Sequence, residues 1–194
     1  FELAVHDLIK KNLAEHQRII FNGDGYSDAW VKEAERRGLP NIRSSIEAAD
    51  ALTTDAAVKM YEKFGIFTRK ELESRQEIIY ETYAKSINIE ALTMIEMAGK
   101  QIIPAVIKYS RMLADTVNSV KAAGGDASVE SEQLHEVSTR LVSMQKSLKE
   151  LRTEEKKASS IKDQRKQAFY YKDKVNTAME KLRKPADELE MMVD

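Results

Sequence analysis

Apolar residues recur along this chain at helical spacing, and the pattern falls into two regimes. In the first, Leu3, Val5, Leu8, Ile9, Leu13 and His16 keep a stripe of about 3.6-residue period, until Asn22-Gly23-Asp24-Gly25 interrupts it with residues that tolerate positive φ. Ser27 is a good N-cap for a second helix carrying Trp30, Val31 and Ala34, which ends at Gly38-Leu39-Pro40. Ser44 with Glu47 has capping-box spacing, and a further helical stretch from about Thr53 to Phe64 closes on Gly65.

The second regime opens at Thr68-Arg69-Lys70-Glu71, whose Thr-x-x-Glu spacing satisfies two orphan amides of a helix start. The pattern then stays helical to about Ala122, roughly 80 Å at 1.5 Å per residue. Gly99 weakens this helix and Pro104 removes one amide, so a kink is expected over residues 100–104 rather than a chain reversal. The reversal is predicted at Gly124-Gly125-Asp126.

Beyond it, Leu134, Val137, Leu141, Met144, Leu148 and Leu151 are spaced 3, 4, 3, 4, 3, the seam of a two-stranded coiled coil. Ala168, Tyr171, Val175, Ala178 and Leu182 repeat that spacing beyond Ala158-Ser159-Ser160. The two seams mirror each other about a point between Ser159 and Ser160, pairing Leu151 with Ala168 and Leu141 with Ala178. An antiparallel hairpin turning at 159–160 is therefore predicted. A helix continuous through 158–161 competes with it, because serine opposes helix only slightly. Ile102, Val106, Tyr109, Leu113, Thr116 and Val120 give the first long helix a face that can lie against the hairpin base. The tip, Arg152 to Gln167, has only Ala158 and Ile161 as apolar residues and is expected to be solvated. The fold class is all-α: a short-helix cap over residues 1–65, then over 66–194 a long kinked helix and a coiled-coil-like antiparallel hairpin, an elongated three-helix bundle.

Composition sharpens this. Four of the seven glycines and one of the three prolines fall in residues 1–65, and neither residue occurs from Asp126 to Lys184. The absence of cysteine excludes a disulfide framework, a thiolate metal site and a Cys nucleophile. A formal net charge of −1 disfavours a globally basic nucleic-acid binder. No apolar run approaches a membrane span, and Phe1-Glu-Leu-Ala lacks the basic region of a signal peptide, so a soluble protein is expected. A chain that starts on Phe reads as a piece of a longer one.

Candidate chemistry is sparse. The turn from Asn22 to Glu33 has the length of a calcium loop, but Asn stands first, Tyr26 fifth, and Ser27 occupies the sixth position, where the sharp turn needs Gly. His6, His16 and His135 form no ligand spacing, and adjacent carboxylates such as Glu71 and Glu73, or Glu154 and Glu155, read as surface. The sharper feature lies between Arg140 and Lys174, where eleven basic residues face five acidic ones, a net of +6. Asp126, Glu130, Glu132 and Glu136, with Asp187, Glu188, Glu190 and Asp194, make the other end of the hairpin acidic. Such a graded hairpin is either a solvated surface or a docking face for an acidic protein; nucleic acid is the least favoured partner, since only Tyr170 and Tyr171 lie near enough to stack.

Several segments in order resemble the carboxy-terminal part of the type III glutamine synthetases. The most distinctive is Ile19-Ile-Phe-Asn-Gly-Asp-Gly-Tyr-Ser-Asp28, followed by Trp30 and Ala34-Glu-Arg-Arg-Gly-Leu39. Asn41-Ile-Arg43, Tyr61-Glu-Lys63, Arg69-Lys-Glu-Leu72, Tyr83-Ala-Lys-Ser-Ile-Asn-Ile-Glu-Ala-Leu-Thr-Met94 and Ile102-Ile-Pro-Ala105 continue it, while beyond Gly124 the likeness is mainly one of helical character. The resemblance implies a cytoplasmic enzyme of nitrogen assimilation that joins ammonia to glutamate at the expense of ATP with magnesium or manganese, in a double-ring dodecamer. The family's metal- and substrate-binding strands lie before this region, so no catalytic, cofactor-binding or metal-binding residue is assigned here. The expected partners are the rest of the same subunit and its neighbours, with no membrane and no nucleic acid. The isolated chain is expected to be inactive and structural. The alternative is an independent helical interaction module with a basic finger tip.

Overall fold

The computed structural model describes residues 1–193. It is all-α: no strand occurs among the described residues. Two compact units are distinguished, Phe1–Ala48 and Ala49 onward.

In the first unit, α1 (Glu2–Glu15) and a 3₁₀ turn (Gln17–Ile19) precede α2 (Asp28–Arg36). Ser27 caps α2 by accepting from the Trp30 amide at 3.3 Å. Gly38, at φ 69°, ends it: the Gly38 and Leu39 amides donate to the Glu35 and Ala34 carbonyls, a left-handed helix stop that side chains resist. Phe21 stacks on Trp30 at 4.2 Å, and Arg37 lies over the Trp30 ring while donating to the Ile20 carbonyl at 2.6 Å. The apolar stripe of α1 is present as predicted, but no residue of α1 is buried.

Next along the chain come α3 (Ser45–Ala49), whose Glu47 amide donates to the Ser44 hydroxyl at 3.3 Å, a 3₁₀ turn (Asp50–Thr53) and α4 (Asp55–Lys63), capped by Thr54. In the second unit, the 3₁₀ turn and α4 pack on α5 (Arg69–Met97). The capping box is formed in full: Thr68 Oγ1 accepts from the Glu71 amide, and Glu71 Oε2 accepts from the Thr68 amide at 2.7 Å.

α5 runs into α6 (Ile103–Ala122) without reversing, through one π-helical turn, Ala98–Ile102. That wide turn is the form taken by the irregularity expected at 100–104. Pro104 has no amide for the Lys100 carbonyl, and an inserted residue just before it relaxes the interrupted ladder. Gly99 faces α7 (Ser128–Ser160), and a Cβ there would lie 3.0 Å from Arg152 Nη2 and 3.8 Å from Leu148 Cδ2.

The reversal falls where it was expected. Gly124 adopts φ 78°, the Gly125 amide donates to the Val120 carbonyl at 2.9 Å, and Asp126 Oδ1 accepts from the Ser128 amide at 3.0 Å. Replacing Gly124 with Ala forces a Cβ into the left-handed region and is expected to destabilise the chain by about 1 kcal/mol, read from the midpoint of urea unfolding.

The two predicted seams form the core. Val137, Met144, Leu148 and Leu151 of α7 are buried, as are Ala168 of α8 (Gln164–Tyr170), Tyr171 and Val175 of a second π turn, and Ala178 and Leu182 of α9 (Asn176–Glu190). The seam runs on through Pro185, buried inside α9, and Leu189. Of the predicted face of α6, Val106 and Leu113 are buried, Ile102, Tyr109 and Val120 partly so, and Thr116 is exposed while Val117 is buried instead; α6 packs on α7.

Three details of the hairpin differ from the sequence reading. The turn is not at 159–160: α7 continues through Ser160, and the break falls at 161–163. Ser159 and Ser160 return their hydroxyls to the Lys156 and Lys157 carbonyls at 3.1 and 2.7 Å, so they fit a helix end. Asp163 starts α8 by accepting from the Lys166 amide at 2.8 Å. The register shifts accordingly. The polar contacts between the arms, Tyr170 to Glu154, Gln167 to Ala158, Lys181 to Glu150 and Arg140 to Glu188, are centred on residues 162–166, so the mirror pairing of Leu141 with Ala178 is displaced. Finally, the tip is mostly exposed, as expected, but it is not a free finger, because α8 and the π turn after it pack against α5.

Candidate functional site

The tip is held down by the most connected polar cluster in the second unit. Arg165 of α8 reaches Asp50, at the start of the 3₁₀ turn, in a two-pronged contact: Nε to Oδ1 at 3.0 Å and Nη2 to Oδ2 at 2.6 Å. The Tyr80 hydroxyl donates to the same carboxylate, and Gln76 Nε2 donates to the Ala49 carbonyl at 3.0 Å. Phe169 lies under Arg165 and against Tyr80, covering the cluster's apolar side. The Arg165 guanidinium, helped by the Tyr80 hydrogen bond, holds the Asp50 carboxyl below its ordinary range against the opposing effect of burial. Burial first, then the Asp50 contact, pushes the Tyr80 phenol up to about 12. A carboxylate already saturated by a guanidinium and a phenol is a clasp, poorly suited to accept a proton in catalysis.

None of these residues was singled out by the sequence. Arg165 figured only as one of eleven cations, and Asp50 lies 115 positions away with no motif to join them. Of the other cations of that run, Lys157 pairs with Glu154 at 2.7 Å and Lys181, just beyond it, with Glu150 at 2.6 Å. Glu33 in the first unit is clasped by Arg36 and Arg37, whose hydrogen bonds lower its carboxyl to about 2. Asp24 accepts from the Tyr26 amide at 2.9 Å. The carboxylates of the Asn22–Glu33 segment thus serve turn and helix. His6 and His16 are both exposed and His135 lies far off in sequence on α7. Among the described residues no group of three or more His, Asp or Glu could hold a metal ion.

One apolar cleft of about 540 Å³ opens beside the π turn of the long helix, between Met97, Ile102 and Val106 on one side and Leu189 and Val193 on the other. Its lining offers no nucleophile and only Asp187 and Glu190 as titratable groups. No described helix is long and apolar enough to cross a membrane.

The arrangement defines a helical module whose most connected polar cluster ties its own helices together. Residues 4–121 match the sequence model of the glutamine synthetase C-terminal domain, and the chain belongs to that family. It is 36% identical over 191 residues to a glutamine synthetase of Butyrivibrio fibrisolvens, covering 97% of this chain and 27% of that protein. Against the type-3 glutamine synthetase of Dictyostelium discoideum it is 39% identical over 119 residues, 61% of this chain and 16% of that protein. A glutamine synthetase of Bacteroides fragilis is 28% identical over 197 residues, 98% of this chain and 27% of that protein. The chain thus spans about a quarter of the length of the Butyrivibrio and Bacteroides relatives. Both alignments extend past Gly124, whereas the family model ends at residue 121.

Proposed function

We propose that this chain is the structural, carboxy-terminal helical part of a type III glutamine synthetase subunit, a cytoplasmic ligase joining ammonia to glutamate. ATP and the magnesium or manganese ions of that reaction are held by residues outside this chain, and the chain alone catalyses nothing. Its part is mechanical. Residues 1–65 finish the catalytic region, and the helices from 66 on brace subunits within a dodecamer.

The observation that supports this reading best is the uncovered face of α1. Val5, Leu8, Ile9 and Leu13 share one side of the helix and are 37%, 58%, 53% and 52% exposed. Ile46 is the one buried residue among 1–48. So few buried groups do not offset the conformational entropy of ordering a segment of this size, so the segment needs a covering surface. The Butyrivibrio relative is nearly four times as long, and the remainder of such a subunit is the surface assigned here to cover it.

Two measurements test this. The chain mixed with ATP, glutamate, ammonia and magnesium should release no glutamine; turnover would overturn the inactive-part reading. In the whole subunit, Ile9→Asp puts a charge into the covered face and is expected to lower the yield of assembled enzyme several-fold, while a surface change such as Lys10→Asp does not. Equal yields would count against the docking of α1. An independent interaction module, the alternative, predicts an upstream reading frame that encodes no ligase.

A further inference from the structure

The outward side of α7, opposite its buried seam, has its own regular spacing. Glu132, His135, Thr139, Val142, Lys146 and Lys149 follow one another at steps of 3, 4, 3, 4 and 3, and every one is exposed. Lys156, two steps further, continues the stripe. The charge along it is graded: Glu132, with Glu136 beside it, lies at one end, and the lysines at the other. Val142, at the centre, is 71% exposed. Neither Glu132 nor these three lysines forms an ion pair among the described residues, although the neighbouring cations Lys157, Arg165 and Lys181 all do.

We propose that this face docks on the same face of a second copy of the chain, antiparallel, about a two-fold axis between residues 140 and 141. The spacing maps onto itself under that operation. Glu132 then meets the partner's Lys149, Lys149 meets the partner's Glu132, and Val142 lies over the partner's Thr139, shedding exposed apolar surface at the centre. An isologous contact of this kind needs a surface that is complementary to itself, and a stripe acidic at one end and basic at the other is such a surface in the antiparallel sense only. Parallel copies would set lysine against lysine. The long uninterrupted α7 holds the two charged ends at fixed separation, which is what makes the register specific. This names the partner of one face within the structural role proposed above, and rests on that role only for the presence of several copies.

Because the contacts are exposed charges, the association is expected to be salt-sensitive. Sedimentation equilibrium of the 194-residue chain should show dimer at about 0.01 M salt and monomer at about 1 M, where screening shortens from about 30 Å to about 3 Å. Lys149→Glu and Glu132→Lys should each weaken the dimer about tenfold or more, and combining them in one chain, which restores opposite charges at both contacts, should recover most of the loss. Circular dichroism and thermal unfolding checks that each variant folds, as surface positions predict. A chain that stays monomeric at low salt overturns the proposal, as does a double variant no better than the singles. So does a dimer that forms only when a single-stranded oligonucleotide is added, which would assign the lysines to nucleic acid. Ile9→Asp is expected to leave the dimer intact, so this result and the test of the α1 face stand or fall separately.

Discussion

Replacing Leu148 with Ala is expected to lower the unfolding free energy by about 3 kcal/mol, within the roughly 2–5 kcal/mol range for deleting a buried leucine side chain. Leu148 is 1% exposed and approaches the π turn at Gly99, where no Cβ stands between the helices. The cavity would open where α7 meets the one irregular turn of the long helix. That turn is already fixed by Pro104 and by close packing, so collapse around the hole should be incomplete. For a chain of this size the melting temperature should fall by about 6–12 °C. A loss below about 1 kcal/mol in urea unfolding would mean that the interior there is loosely packed and that the seam is not the main source of stability.

Asp50→Asn should release the hairpin tip while leaving the bundle folded. Both partners of the clasp are partly solvated, with side chains 38% and 55% exposed, so screening limits the cost to about 1–2 kcal/mol. The effect is local: amides of α8 should exchange with solvent about tenfold faster, while those around Leu182 stay protected. The clasp also makes the tip sensitive to pH. The Asp50 carboxyl is depressed below an unfolded value of about 3.9, so its contribution is whole above that pH and disappears as the pH falls through the folded value. The Tyr80 phenol is raised from about 10 to about 12, so its contribution is whole below about 10 and is lost as the pH rises through about 12. Asp50→Asn should abolish the acid loss. Exchange in α8 that is unchanged by the variant, or equally acid-sensitive in it, would show that apolar packing of α8 on α5 holds the tip without the clasp.

Local chemistry was legible wherever a few neighbouring residues decide the outcome. Ser27, Thr68 and Gly124 each satisfy or redirect backbone groups within a turn of themselves, and each acts as its residue type requires. The turn at 159–160 was misplaced for the same reason. Two serines weaken a helix only slightly, whereas Asp163 captures an amide of the next one and so sets where α8 begins. Nothing in the α1 stripe distinguishes a buried face from an uncovered one; periodicity reports that a face is apolar, not what lies against it.

The sequence by itself determined the helical class, the order of the long helices and the residues that line the seam, because a 3–4 spacing of apolar side chains produces one sticky face whatever its partner. Only the tertiary structure decided the register of the arms, the docking of the tip on α5 and the meeting of Asp50 with Arg165. A heptad seam offers nearly equivalent pairings at every repeat, and the π turn Tyr171–Val175 inserts a residue that shifts one arm along the other. The choice among those pairings rests on contacts between side chains up to 48 positions apart in the hairpin, and the docking of the tip on one pair 115 positions apart, which no local pattern encodes.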